Sequence, residues 1–447
     1  MRLGSERQTV EWYENLTGLA EVMDLGDLRL SASSLYRVQD KLVAHKEELE
    51  EALVERQRQL YGEGDKICLF DLTNTYFEGN PASELAKRGH WKDKRYDRPL
   101  VTLGLVVDEQ GFVKASKVFA GNVAEPGTLG SILEELGGQV HRQAELLGPR
   151  PTVVIDAGIA TEANRELIRA KGFDYVCVDR SRPKELPQAT GAELVHEGGD
   201  SQVWAVRLEA EGEVILYCTS TGRRAKEESM RNKFQRAFEQ GLEKLAASVE
   251  RKGGIKRYDK VVERIGRLKE RYSMVAHFYQ VEVAHRDGKA VSIRWRLKDE
   301  KEIEARFSGH YKIRSSRTDL SAAKLWELYN MLTEVEASFR TLKQDLRIRP
   351  VYHRVSRRIE GHIFVTVLAY HVLSVIQAKL RQAGIRHHWT TLRRSLSSHV
   401  RVTTTARRRD GSTVLVRQSS RPEPFQREVY EALGIRACAR RAIQTVR

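Results

Sequence analysis

Two short apolar runs, each ending on an aspartate, constrain the fold of this chain more than any other feature. Residues 66–70, KICLF, deliver Asp71, and residues 151–155, PTVVI, deliver Asp156. Short apolar runs bounded by polar segments read as buried strands. The first run keeps strand-forming residues through LTNTYF to Phe77. Two further strands are predicted over 100–107 and 112–119, joined by DEQG, a turn of hairpin length. A helix is predicted over 128–147. After Asp156, GIATEANRELIRAKG reads as loop and helix, and FDYVCV, 173–178, as another short strand.

The order is strand, strand, strand, helix, strand, helix, strand. The early strands form an antiparallel set, and the later ones arrive by helical crossovers. The strands bearing Asp71 and Asp156 can then lie side by side. This is the layout of an α/β fold with a ribonuclease-H-like mixed sheet as its core.

A third stretch, LWELYNMLTEVEASFRTLKQDL at 325–346, has apolar residues at Leu325, Leu328, Leu332, Val335, Phe339, Leu342 and Leu346. That spacing marks the buried face of one helix. Tyr329, Glu336 and Lys343 follow at seven-residue steps, a line along the rim of that face in an unbroken helix. Arg340 lies one turn beyond Glu336. Ser321 is the predicted N-cap. Taken alone, this helix reads first as an amphipathic rod with an ordinary Glu–Arg pair on its edge.

The rest of the chain frames these elements. Residues 1–64 read as a helical N-terminal region with a weak apolar face of Leu35, Val38, Leu42 and Leu49. Residues 65–179 are the first part of the core. Residues 180–315 read as an inserted β-rich subdomain with helical arms. Paired strands are predicted there at 203–208 and 213–219, and again at 279–284 and 290–297 about Asp287-Gly288. Between these pairs a charged helical stretch, 223–271, carries Met230, Phe234, Phe238, Leu242 and Leu245 on one face and breaks at Gly253-Gly254. Residues 316–385 are the second part of the core, including a buried helix at 363–376, a run too short to span a bilayer and interrupted by His371. Residues 386–447 form a basic C-terminal region with a hairpin about Asp410-Gly411. From Arg401 onward it has eleven Arg against four Asp or Glu, which serves equally as solvated surface or as phosphate contact.

The chain has a formal net charge of +15 and a pI near 9.6. This favours a polyanionic partner, nucleic acid before membrane, over a merely basic protein. Cys68, Cys177, Cys218 and Cys438 are far apart and form no CxxC pair, so they read as reduced thiols of a cytosolic protein. The N-terminus, MRLGSERQTV, has no apolar signal core.

Asp71, Asp156 and Glu336 thus have a reason to meet. Three carboxylates from two strand ends and a helix are the oxygen donors that a pair of hard divalent cations takes. Two such ions activate an attacking oxygen and stabilise a leaving oxygen at a phosphodiester. Lys343 and Arg340 can supply positive charge nearby.

Three stretches then resemble bacterial DDE transposases of the insertion-sequence-four superfamily. FDLTNTYFEG is similar to the family's first-aspartate motif at Asp71, and VVIDAGIATEANRELI to the second at Asp156. Tyr329, Leu332, Glu336 and Lys343 match the spacing of the Y-x2-R-x3-E-x6-K signature, with Leu332 in the arginine slot. RGHWKDKRYD, 88–97, resembles the basic loop of the family. The resemblance extends over 67–376.

It implies a metal-dependent enzyme, with Asp71, Asp156 and Glu336 as catalytic residues holding two Mg2+ ions, for which Mn2+ substitutes. The implied reaction is cleavage at the ends of a mobile element, followed by attack of the freed 3′-hydroxyl on DNA in a hairpin step or in strand transfer. Tyr329, Lys343 and Arg340 are the implied contacts to double-stranded DNA. Trp295 in SIRWRL is the candidate for stacking on a flipped base, against an ordinary packing role. A homodimer on DNA, no membrane and a bacterial cytoplasmic, nucleoid-associated setting complete the expectation. The rival readings are a decayed or domesticated DNA-binding protein of this fold and a ribonuclease-H-like nuclease without strand transfer.

Overall fold

The computed structural model describes residues 5–25, 28–62, 67–89, 97–141, 150–181, 183, 191–199, 201–298, 300–437 and 442–446. The chain divides into two compact units, one of Met1–Tyr175 with Asn330–Arg447 and one of Val176–Tyr329.

The first unit opens with helices α1 (Glu6–Asn15), α2 (Leu19–Val22), α3 (Ala32–Ala44) and α4 (Lys46–Tyr61). The side chains of Ser5 and Ser31 cap α1 and α3 by accepting from the amides of Gln8 and Ser34. Of the face expected from Leu35, Val38, Leu42 and Leu49, three residues are half-buried and Val38 is exposed, while the polar Glu6, Gln39, Glu50 and Gln57 are buried. Each buried group has a polar partner. Gln39 Nε2 donates to Glu6 Oε1 at 2.8 Å, Lys46 Nζ to Glu50 Oε2 at 2.7 Å, and Gln57 Nε2 to His371 Nδ1 at 3.1 Å. Apolar periodicity does not register such groups, because hydrogen bonding offsets the desolvation that otherwise keeps amides and carboxylates outside.

The sheet of this unit follows with β1 (Ile67–Tyr76), β2 (Leu100–Val107) and β3 (Val113–Ala120). A 3-10 turn (Glu125–Thr128), α5 (Leu129–His141), β4 (Thr152–Ile155), α6 (Glu162–Ala170) and β5 (Asp174–Val178) come next. The tail of the helix expected over 128–147 falls outside the described residues. In the first unit the strand order is β3-β2-β1-β4. β1 is antiparallel to β2 and parallel to β4, so the strands leading to Asp71 and Asp156 are neighbours. β2 and β4 of this mixed sheet, and the run Ile67–Phe70 of β1, are buried throughout. Burial on both faces explains why these strands read as continuous apolar runs rather than as alternation.

The second unit contains β6 (Glu193–Gly198), β7 (Ser201–Ala210), β8 (Glu213–Ser220), α7 (Thr221–Glu250), α8 (Tyr258–Arg271) and α9 (Ser273–Ala276). β9 (Tyr279–Arg286), β10 (Lys289–Leu297), α10 (Glu300–Arg306), β11 (His310–Ser315) and α11 (Ala322–Asn330) follow. Val176–Val178 of β5 begin its sheet, in the order β5-β11-β8-β7-β6. β9 and β10 form a separate hairpin whose turn residues, Asp287 and Gly288, have φ of 50° and 70°, the left-handed pair that tight hairpins need. Phe238, Leu242 and Leu245 of α7 pack with Val261 and Ile265 of α8 in a local core. Met230, expected on that face, is exposed, and the apolar stripe begins at Phe234.

The chain then re-enters the first unit through α12 (Leu332–Arg340), a π-helical turn (Thr341–Asp345) and α13 (Ser356–Gln382). α14 (Trp389–Leu396), β12 (Arg401–Arg407), β13 (Thr413–Ser419), α15 (Pro424–Leu433) and β14 (Ala442–Val446) end it. The expected hairpin is β12–β13, extended by β14 into a three-stranded sheet. The apolar run at 363–376 belongs to a helix of 27 residues that is long and apolar enough to cross a membrane, and 56% of its apolar window is buried inside the protein. Cys68, Cys177 and Cys218 are buried free thiols; Cys438 lies outside the described residues.

Candidate active site

The site is assembled from the parallel pair β1 and β4. Their register sets Phe70 beside Ile155. Asp71 and Asp156 are therefore the next residues on strands about 4.8 Å apart. Each carboxylate is steadied by the amide that follows it. The Leu72 N–H donates to Asp71 Oδ1 at 2.7 Å, and the Ala157 N–H to Asp156 Oδ1 at 2.7 Å. Asp71 is half-buried and Asp156 exposed.

The chain turns directly after β4. The amides of Ile159 and Ala160 donate to the Asp156 carbonyl at 3.0 and 3.1 Å. Asn164 Nδ2 donates to Ile159 O at 2.7 Å and to Pro126 O at 3.0 Å. It thereby ties this loop to the turn that carries Glu125. A methyl group at Gly158 would stand 2.4 Å from Glu125 Oε2 and 4.0 Å from Asp156 Oδ2. Glycine at 158 thus makes room for a second carboxylate beside Asp156. Sequence reasoning missed Glu125, because a lone glutamate before a proline has no periodicity or spacing to mark it. The only signal was the glycine two residues past Asp156.

Glu336 is carried by α12, which packs against β1 and β2. Val335, Ser338 and Phe339 are buried, and Glu336 is on the exposed side. No described residue forms an ion pair or hydrogen bond with it. The Tyr370 hydroxyl holds the helix from beneath, 2.6 Å from Ser338 Oγ and donating to Gly111 O at 3.1 Å. Tyr370→Phe strands the Gly111 carbonyl in a buried setting. A destabilisation of about 1–3 kcal/mol is expected, read as a lower urea midpoint with an unchanged slope.

The stretch 325–346 is not one rod. α11 ends at Asn330 and α12 begins at Leu332. At the join, the Glu334 amide bonds back only three residues to Met331 O at 2.8 Å, and Thr333 Oγ1 donates to Asn330 O at 2.8 Å. Past Arg340, the Leu346 amide reaches back five residues to Thr341 O at 2.9 Å, the π-helical pattern. A line of Tyr329, Glu336 and Lys343 requires an unbroken 3.6-residue period, and both irregularities remove it. Leu332 opens α12 half-buried, Arg340 is exposed at its end, and Lys343 is half-buried in the π turn.

Tyr329 and Trp295 belong to the second unit. The Tyr329 ring lies 6.3 Å from that of Tyr311. The Tyr311 hydroxyl accepts from Trp326 Nε1 at 2.8 Å, and the Arg223 guanidinium lies 4.8 Å from the Tyr311 ring centre. Burial pushes the Tyr311 hydroxyl well above the usual phenol range, against the opposing pull of the Trp326 hydrogen bond and the Arg223 charge. Trp295 is half-buried against the core of α7 to α10, which gives it a packing role. Residues 90–96 of the predicted basic loop lie outside the described residues.

In kind, the three acids suit a hard divalent cation, since all are carboxylates and two are adjacent on the sheet. In spacing they do not form a closed set. Among the described residues, no three His, Cys, Asp or Glu side chains stand close enough to hold one metal ion.

The family model of the transposase DDE domain matches residues 62–372. No curated protein sequence matches the chain. Among solved structures, the piggyBac transposase synaptic complex with hairpin DNA is similar at 7% identity, covering 74% of this chain and 51% of that one, with a TM-score of 0.37. The Mos1 transposase paired-end complex with left transposon end is similar at 12% identity, covering 39% of this chain and 54% of that one, with a TM-score of 0.18. The chain thus spans about half the length of the solved transposases it matches. With the family model covering well over half of its length, the chain belongs to the transposase DDE domain family.

Proposed function

We propose that the protein is an active DNA transposase of the insertion-sequence-four type, built on a ribonuclease-H-like core. The observation that carries this reading is the parallel pairing of β1 with β4, which makes Asp71 and Asp156 neighbours. The strand order β3-β2-β1-β4 supports the fold, and the net charge of +15 supports a DNA partner. Asp71, Asp156 and Glu336 are the carboxylates that would hold two Mg2+ ions, or Mn2+ in their place. Such ions would supply polarisation of a phosphodiester and a lowered pKa of the attacking oxygen. Arg340 and Lys343 offer positive charge to the phosphates of the element end, and Tyr329 is a further candidate contact. In the first step water attacks the phosphorus at the element end and the 3′-oxygen leaves as a hydroxyl. In the second, that hydroxyl attacks a target phosphodiester, so one bond forms as another breaks. Two ends processed together favour a homodimer on DNA, acting in the bacterial cytoplasm.

A rejoining assay separates this reading from a simple nuclease. The full chain is mixed with pre-cleaved element ends bearing free 3′-hydroxyls, a supercoiled plasmid and Mg2+. Joined products are expected. Nicking of uncut ends without any joining would assign the protein to the nucleases instead.

A further inference from the structure

The second unit holds a cationic surface that the chemistry at Asp71 and Asp156 does not use. Residues 221–272, which make up α7, α8 and their connection, contain sixteen Lys or Arg against eight Asp or Glu. That surplus of eight is more than half of the chain's +15. On α8 the cations are ordered. Lys260, Arg264, Arg267 and Arg271 recur at steps of four, three and four, so they share one stripe. All four are exposed, and Val261 and Ile265, on the neighbouring stripe, are buried. The acids of the helix, Asp259, Glu263 and Glu270, fall on the other flank. Glu263 pairs with Lys260 at 3.0 Å and with Arg267 at 2.5 Å.

A cleft of about 300 Å³ runs between α7 and α8, lined by Lys244, Arg264, Arg267 and Arg271. Gly241 lines it too, and there a methyl group would stand 2.8 Å from Leu268 Cδ2, so that the leucine side chain would have to shift. Among the described residues no carboxylate pairs with Lys244, Arg264 or Arg271. Three of the four cations that line the cleft therefore have no carboxylate beside them, while Arg267 shares Glu263 with Lys260. The arrangement suits a surface completed by anions from outside.

We infer that the α7–α8 arm is a docking surface for the phosphate backbone of double-stranded DNA. The inference rests on the transposase reading and adds to it a second, non-catalytic contact. From Lys260 to Arg271 the stripe is about 16 Å long, a span over which one strand presents roughly five phosphates. Arg is suited to this role by its fixed fork of donors. A membrane fits less well. A helix lying in a lipid interface buries its apolar face there, whereas the apolar face of α8 is already buried in the core of the arm. The contact is to the backbone, so it is independent of base sequence.

The test is fluorescence anisotropy of the full chain with a random-sequence DNA duplex, in EDTA to prevent cutting, over a range of NaCl concentrations. The triple variant Lys244→Gln, Arg264→Gln, Arg271→Gln is compared with wild type. A second triple, Arg286→Gln, Lys289→Gln, Arg294→Gln on β9–β10, removes the same charge elsewhere in the unit. The first triple is expected to bind at least tenfold more weakly, with a log–log salt slope shallower by about 2 to 3. The second should remain near wild type. An unchanged slope in the first triple, or equal losses in both, would overturn the inference. So would loss of binding to phosphatidylserine vesicles with DNA binding intact. If the wild-type chain binds no DNA at all, the transposase reading fails along with it.

Discussion

Asp71→Asn is expected to abolish Mg2+-dependent cleavage of element-end DNA while leaving DNA retention intact. The substitution replaces one anionic oxygen in the Asp71–Asp156 pair with an amide. It leaves local folding nearly untouched, because the asparagine Oδ1 can still accept from the Leu72 amide that now bonds Asp71 at 2.7 Å. Removing the charge takes away a hard oxygen donor. If the bound ion supplies several kcal/mol of transition-state stabilisation, the rate should fall by roughly 10³-fold or more. Binding of DNA should hold or tighten slightly, because a carboxylate near phosphates is repulsive. Two readouts separate the outcomes: gel-resolved cleavage over time, and titration of Mn2+ by its paramagnetic signal. Cleavage at the wild-type rate in the variant would remove Asp71 from the active site. Lost cleavage with unaltered Mn2+ binding would keep Asp71 in the chemistry and remove it as a ligand.

The second large effect is on stability. His371 is buried in α13, with Nδ1 accepting from Gln57 of α4 at 3.1 Å. Burial first, and the Lys114 ammonium second, push its pKa down to about 4 from an ordinary value of 6.5. The sign follows from which state takes up the proton. Between pH 6.5 and 4 the unfolded chain protonates this histidine and the folded chain does not. Stability is therefore complete above pH 6.5 and is lost as pH falls towards 4, by about 3 kcal/mol in all. His371→Gln keeps a polar partner for Gln57 and removes the titration. Thermal midpoints of both proteins from pH 7.5 to 4 are the measurement. The wild-type midpoint should fall more steeply across that range, and parallel curves would exclude His371 as the source. Because His371 joins α13 to α4, hydrogen exchange should show the N-terminal helices loosening first.

Much of the chemistry-bearing geometry was legible from residue order. The runs before Asp71 and Asp156 are strands because both faces of the sheet are buried, and continuous burial writes itself as continuous apolar sequence. Asp287-Gly288 announced its hairpin because only residues tolerant of left-handed φ fit there. The stripe Leu325, Leu328, Val335, Phe339, Leu342 and Leu346 is buried throughout. The N-terminal helices were legible as helices, with Leu35, Leu42 and Leu49 half-buried, but not in their buried polar residues Glu6, Gln39, Glu50 and Gln57. A buried polar group is recognised only once its partner is known. The strand Glu193–Gly198 was not anticipated, because its residues are exposed or half-exposed and carry no burial pattern.

By itself, the sequence determined which residues are apolar in which period, and so the strands that deliver the two aspartates and the buried face of the helix that carries Glu336. Only the tertiary structure decided that this helix breaks at Asn330 and widens into a π turn after Arg340. It also decided that Glu125 comes to lie beside Asp156. The physical reason is that period and polarity are local properties of the chain. A helix break, an i to i+5 turn and a carboxylate seated over a glycine are set by what packs against them from distant parts of the chain.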